Sequence, residues 1–316
     1  MSSSISPVYE HYLVPAKNRF PMSHAPYLAD LSGHRLIVIW FSGSREWAKD
    51  VNLLSAVYHR DTGKWESITS LVSEIGYSIG NCVALQDGAG KLHLWYVRTK
   101  GYWHEGEIVH MVWPDLKLGF SSKTVVELPQ GWLVRGRPVK RGGMVYMPVY
   151  DEVNNVSAVY CQDMVTEAGE LMESMEAEGG LIHPTLVEIG DAEFRCFMRN
   201  PWAPNRIHYA YSMDKGATWS RPNPTELPNP NSGIDVTVLT GHRLLCAYND
   251  SDKQRYPLSL AVSETAGMDW KKVCDLERQQ DEFSYPSLFS SGREVYLAYT
   301  YKRESIKFVQ FGIEDF

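Results

Sequence analysis

The chain has 316 residues, a formal net charge of −7, 44% apolar and 22% charged side chains. That balance excludes a disordered chain and gives no overall attraction to nucleic acid or to an anionic membrane surface, so an anionic ligand must be held by a few local arginines. The five cysteines, Cys82, Cys161, Cys196, Cys246 and Cys274, are scattered with no C-x-x-C pair, which argues against a disulfide framework.

The N-terminal Met1-Ser-Ser-Ser-Ile-Ser-Pro7 has neither a basic region nor an apolar stretch, and no window holds the roughly 18 apolar residues of a membrane span. The expectation is a cytoplasmic chain. In chain order, the first strong strand is Arg35-Leu-Ile-Val-Ile-Trp40, with a turn at His59-Arg-Asp61-Thr-Gly63-Lys-Trp65. The second is Lys91-Leu-His-Leu-Trp-Tyr96, followed by Trp113 in His110-Met-Val-Trp-Pro-Asp115. Met144-Val-Tyr-Met-Pro-Val149 is the third, and residues 165–178 have the composition of a short helix inserted between units. Next come Phe194-Arg-Cys-Phe-Met198 with the turn Ser212-Met-Asp214-Lys-Gly216-Ala-Thr218-Trp219, then Arg243-Leu-Leu-Cys-Ala-Tyr248 with Ser263-Glu-Thr-Ala-Gly267-Met-Asp-Trp270. Glu294-Val-Tyr-Leu-Ala-Tyr299 is the sixth. These strands start at 35, 91, 144, 194, 243 and 294, a spacing of 49 to 56 residues. Six near-equal units of strand and turn predict an all-β fold, a six-bladed β-propeller of four-stranded antiparallel blades that takes up residues 1–316 as one domain.

The S-x-D-x-G-x-T-W turn at residues 212–219 is the Asp-box, in which Asp caps backbone N–H groups, Gly takes a positive φ and Trp plugs the space between sheets. With the order of segments around it, the chain resembles the sialidase superfamily, its divergent bacterial branch above all, over nearly its whole length. The resemblance implies site positions. Ser23-His24-Ala25-Pro26 stands where the family has its F-R-I-P-like turn, with His24 in place of the first arginine of a carboxylate-binding trio. Asp50, in Lys49-Asp50-Val-Asn-Leu-Leu, matches the acid/base. Arg199 and Arg255 match the second and third arginines, and Tyr285 in Phe283-Ser-Tyr285-Pro-Ser-Leu288 matches the nucleophile. The glutamate that activates that tyrosine is replaced by His183.

The residue types fit one chemistry. A planar guanidinium fork matches a sugar carboxylate with two parallel hydrogen bonds. A neutral phenol can attack an anomeric centre beside a carboxylate without bringing a second anion close. Arg45, Arg137, Asn249 and Tyr301, on polar segments at strand ends, are expected as further substrate contacts. No H-E-x-x-H, EF-hand loop, Cys/His cluster or Gly-rich phosphate loop occurs, so neither a metal nor a cofactor is expected. The expected partner is an acidic sugar or oligosaccharide. Three activities remain open: an exo-acting, sialidase-like glycoside hydrolase of altered specificity; a lyase acting on a uronate with His24 and His183 as base candidates and Tyr285 as acid; and a carbohydrate-binding propeller without turnover.

Overall fold

In the computed structural model, which describes residues 5–202 and 205–316, six antiparallel sheets stand around a common axis. Residues 1–4, on which the reading of the N-terminus partly rests, lie outside the described residues. The second strands of the blades start at Arg35, Leu92, Met144, Phe194, Arg243 and Glu294. Five of the six therefore begin where the apolar runs do, and the other is one residue later. These runs are apolar on both faces because each sheet packs against a neighbour on either side. Leu36, Ile37, Val38, Ile39, Trp40 and Phe41 are all buried in succession.

Each blade runs outward from the axis. In the fourth, Ile182–Glu188 is innermost, and Phe194–Arg199, Arg206–Ser212 and Asn223–Pro228 follow by simple antiparallel pairing. The fifth repeats this order with Asp235–Thr240, Arg243–Asn249, Leu258–Ser263 and Lys271–Glu277. The sixth has Phe283–Ser291, Glu294–Tyr301 and Ser305–Gly312, and its outermost strand is Tyr9–Leu13 from the other end of the chain. Tyr9 pairs with Gln310 and Leu13 with Ile306, so the two ends of the chain close the ring by backbone hydrogen bonds. Sequence periodicity gave no hint of this strand, because five residues carry no repeat signal.

One expectation is corrected. Residues 165–178 are not a helix: Gly169–Leu171 pairs with Tyr160–Gln162 as the outer strand of the third blade, and Met175 bridges to Ser157. Asp163 starts a tight turn there by accepting the backbone N–H groups of Val165 and Thr166 at 2.7 and 2.9 Å. An open sheet edge beside this short segment supplies backbone partners that a lone helical turn lacks.

The Asp-boxes lie where the third strand of a blade turns into the fourth. Asp214 accepts hydrogen bonds from the Thr218 N–H at 2.9 Å, the Thr218 hydroxyl at 2.6 Å and the Ser212 hydroxyl at 2.7 Å, and these hold its carboxyl down at about 2. Trp270 of the fifth-blade box packs edge-on against Phe197 of the fourth, with ring centroids 5.6 Å apart. Gly267 sits in that contact with φ +87°, and a Cβ there would lie 2.3 Å from the Phe197 ring. The boxes thus staple neighbouring blades at one end of the ring and leave the other end free. All five cysteines are free thiols.

Gly267→Ala combines an unfavourable backbone conformation with a clash against a buried ring, and is expected to destabilise the protein by about 2–4 kcal/mol. Urea unfolding of the two proteins measures this; a loss below about 0.5 kcal/mol would show that the box does not constrain the blade contact.

Candidate active site

The topology decides which residues can meet. Innermost strands begin at one end of the ring, and each second strand returns to that end before a loop leads to the third. His24, His183 and Tyr285 stand near the starts of the innermost strands Met22–Leu31, Ile182–Glu188 and Phe283–Ser291. Arg199 closes the second strand of its blade, while Glu46, Glu152, Arg255 and Arg303 lie in the loops or hairpins that follow second strands. All therefore gather at the end opposite the Asp-boxes.

The innermost strands are bent where the site forms. Pairing slips between His24 and Tyr27, Ile182 and Thr185, and Ser284 and Ser287. At these bulges Ala25, His183 and Tyr285 take left-handed backbone conformations with φ of 51°, 52° and 53°. For a histidine and a tyrosine this is a strained arrangement of the kind that collects at functional sites.

The bends bring His24, His183, Tyr285 and Arg199 to line one recess, together with Glu46, Trp103, Tyr150 and Glu152. It is a narrow recess, about 370 Å³ of space when the open solvent at its mouth is counted. Tyr285 is its centre. Arg199 Nη1 donates to the Tyr285 hydroxyl oxygen at 3.1 Å. The guanidinium carbons of Arg135, Arg255 and Arg199 lie 5.5, 5.5 and 5.9 Å from the centre of its ring. The rings of His24 and His183 approach it to 4.4 and 5.5 Å.

The charges of this cluster are unequally compensated. Arg255 is paired with Glu282 at 2.7 Å, and Glu282 also takes Arg303 at 2.7 Å. Burial alone would raise the Glu282 carboxyl, but Arg255 and Arg303 bring it below its usual range. Arg303 reaches on to Glu46 at 2.6 Å, which ties the first-blade loop to the sixth blade. Arg199, by contrast, forms no ion pair among the described residues, and its buried Nε has no hydrogen-bond partner.

Burial, then the charges of Arg303, Arg255, Arg135 and Arg199, hold the His24 imidazole well below 6.5. Burial and the same kind of neighbours, Arg199 first, do so for His183. Both rings are therefore neutral at pH 7. Thr300 Oγ1 accepts the Ala25 N–H at 3.0 Å and lies 3.0 Å from His24 Nδ1. When its own proton goes to Nδ1, the ring proton of His24 sits on the buried, unpartnered Nε2. His183 has an unpartnered Nδ1.

Five sequence-selected positions fall elsewhere. Asp50 is exposed, and its carboxylate accepts the Ser44 hydroxyl at 2.9 Å and the Ser44 N–H at 3.2 Å, so it closes the loop rather than facing the recess. Arg45 is exposed on the same loop. Arg137 runs along the central channel, donating to the Leu288 carbonyl at 2.7 Å and lying over the rings of Tyr27 and Phe289. Asn249 is fully buried and already bonded to Ser232 Oγ at 2.6 Å and the Phe283 carbonyl at 2.8 Å. Tyr301 packs between Phe283 and Tyr12. For Asp50, Arg137, Asn249 and Tyr301 another partner claims the side chain first. Glu46 and Glu152 face the recess instead. Burial raises the Glu152 carboxyl, against the opposing charge of Arg199. The signal that marks these two is not residue type but position just beyond a second strand, which they share with one another. Among the described residues no group of three or more His, Cys, Asp or Glu side chains forms a metal-binding set.

A family model, the BNR repeat-like domain, matches residues 34–297. No curated protein matches the chain in sequence. Among solved structures, the NanB sialidase of Streptococcus pneumoniae is similar with a TM-score of 0.81 at 10% identity, over 100% of this chain and 71% of that one. A Hadza microbial sialidase gives a TM-score of 0.80 at 13% identity over 96% and 68% of the two chains. The intramolecular trans-sialidase of Ruminococcus gnavus gives 0.76 at 12% identity over 96% and 98%. Likeness at these identities is likeness of fold.

The two buried imidazoles have a consequence for stability. In the unfolded chain each takes up a proton as pH falls through about 6.5, while in the folded protein it stays neutral to a lower pH. Their contribution is therefore fully present above pH 6.5 and is lost below it, at about 1.4 kcal/mol per pH unit for each group. Urea unfolding at pH 7.5 and 5.0 measures the loss. His183→Asn, whose side chain tolerates a left-handed backbone, is expected to flatten the slope.

Proposed function

This chain belongs to the family of BNR repeat-like domains, and from that premise we propose that it is an exo-acting glycoside hydrolase that removes a terminal acidic sugar. One observation carries the reading: Arg199, buried and lining the recess, forms no ion pair among the described residues and has an unused Nε donor. A buried guanidinium without an anion is costly, and a sugar carboxylate supplies both the charge and the geometry it lacks. Arg255, whose guanidinium carbon lies 5.5 Å from the centre of the Tyr285 ring, is the second fork.

In this reading Tyr285 Oη attacks the anomeric carbon while Arg199 fixes its direction. His183, neutral and with an unpartnered Nδ1, takes the phenolic proton. Glu152 protonates the leaving oxygen, since burial favours its protonated form. It assumes the part that the sequence reading gave to Asp50.

A second reading, β-elimination from a uronate, is favoured by a separate observation. Two neutral histidines flank Tyr285, and no carboxylate is hydrogen-bonded to its hydroxyl. A histidine would then abstract the proton α to the clamped carboxylate, with Tyr285 as acid.

Sialosides, other nonulosonic acid glycosides and rhamnosyl-glucuronate disaccharides, incubated with the protein and followed by product analysis, separate the readings. The hydrolase releases a saturated acidic sugar, whereas the lyase gives an unsaturated, ultraviolet-absorbing product. Binding without turnover would overturn both. With the active substrate, Arg199→Ala is expected to lower kcat/KM by about 30- to 1,000-fold, the equivalent of about 2–4 kcal/mol. Tyr285→Phe should abolish turnover and keep carboxylate binding; undiminished turnover would remove Tyr285 from the mechanism.

A further inference from the structure

Tyr285 and His183 sit on strands of different blades, each in a strained backbone conformation, yet their rings meet at 5.5 Å. Such strain persists only where the surroundings over-determine the backbone. The surroundings here converge on one buried side chain, Asp235, the first residue of the fifth blade's innermost strand. Its Oδ2 accepts the Leu288 N–H at 2.7 Å, three residues beyond Tyr285. Its Oδ1 accepts the Thr185 hydroxyl at 2.6 Å, two residues beyond His183, and the Val236 N–H at 3.0 Å. One carboxylate thus grips both bulges from a third blade.

Other bonds hold the same segment against Asp235. Arg135 Nη2 donates to the Pro286 carbonyl at 2.9 Å and Arg137 Nη2 to the Leu288 carbonyl at 2.7 Å. Ser287 Oγ accepts the Leu28 N–H at 3.0 Å. The Tyr285 bulge is therefore fixed from the first, third and fifth blades, whereas among the described residues the only side-chain hydrogen bond found across to the residues just after His183 is the one from Thr185 to Asp235.

We propose that Asp235 is a positioning residue that sets Tyr285 and His183 in register with each other, the Thr185 hydroxyl being its link to the histidine. It does not line the recess, so it acts through the two bulges and not on the ligand. The inference rests on the proposed acidic-sugar chemistry only for its effect on turnover. Its geometric content stands apart from that reading.

The test compares Thr185→Val, which keeps the shape and removes the hydroxyl link, with Thr185→Ser, which keeps the link. Asp235→Asn, which cannot accept all three donors, is the stronger variant. Crystal structures should show the His183 ring displaced in Thr185→Val and unmoved in Thr185→Ser, and both His183 and Tyr285 displaced in Asp235→Asn. On the substrate identified above, Thr185→Val is expected to lower kcat by about tenfold with KM within about twofold, because a small misplacement of reacting groups costs rate before binding. Thr185→Ser should restore it. If Asp235→Asn does not fold, the threonine pair decides. Unchanged His183 geometry in Thr185→Val overturns the proposal, as does a loss of turnover that Thr185→Ser shares. If the wild-type protein turns over no acidic sugar, the hydrolase and lyase readings fail, and the displacement in the structures alone decides the proposal.

Discussion

Among the described residues Arg199 forms no ion pair. Arg255 and Arg303 share Glu282, and Arg303 is also bound to Glu46, so four of the charges around the recess are knitted into a chain of ion pairs. Arg199 instead spends one N–H on the phenol oxygen of Tyr285 and leaves another unused. In a desolvated site an unpaired guanidinium is a strong attraction for a rigid, bidentate anion. That charge also acts on its neighbours. It adds to the burial that keeps both histidines neutral, it donates to the tyrosine hydroxyl, and it opposes the effect of burial on Glu152.

The propeller separates holding from working. At one end the Asp-boxes consume their own polar groups in turns and wedge tryptophans between blades, as Trp270 does against Phe197. At the other end, strands of different blades reach the axis with bulges in place of regular pairing. Strain at Ala25, His183 and Tyr285 is tolerated there because the far end and the interleaved cores between blades are regular. The closing strand Tyr9–Leu13 adds to this by joining the first segment of the chain to the last blade. A ring with a free edge at that point would let the innermost strands shift relative to one another.

Histidine at positions 24 and 183 changes the electrostatics that the family resemblance implies. An arginine at 24 would add another positive charge beside Tyr285, and a glutamate at 183 would add a negative one. Two neutral imidazoles leave the balance positive and supply proton acceptors and donors without charge. That is a different acid–base set on the same scaffold, which is why the fold alone does not name the sugar.

The sequence by itself determined the ring. Six apolar runs at near-constant spacing, buried on both faces, have no other compact arrangement that keeps every blade equivalent, and Gly and Asp at fixed places write the box turns directly. The resemblance of its segments to the sialidase superfamily named His24, His183, Arg199, Arg255 and Tyr285, which the structure brings around one another. Asp50, named by the resemblance, and Arg45, Arg137, Asn249 and Tyr301, chosen by residue type at strand ends, fall elsewhere, and residues 165–178, read from composition as a helix, contain a strand. Whether an aspartate caps its own loop or faces a recess depends on a bend of a few residues, and whether an arginine looks up or down the channel depends on which carbonyl it meets across the ring. Glu152, Arg135 and Asp235 belong to the site through contacts with blades far away in the chain. Only the tertiary structure decides such contacts, since they arise from closure of the ring, and no local pattern records which side chains closure will bring together.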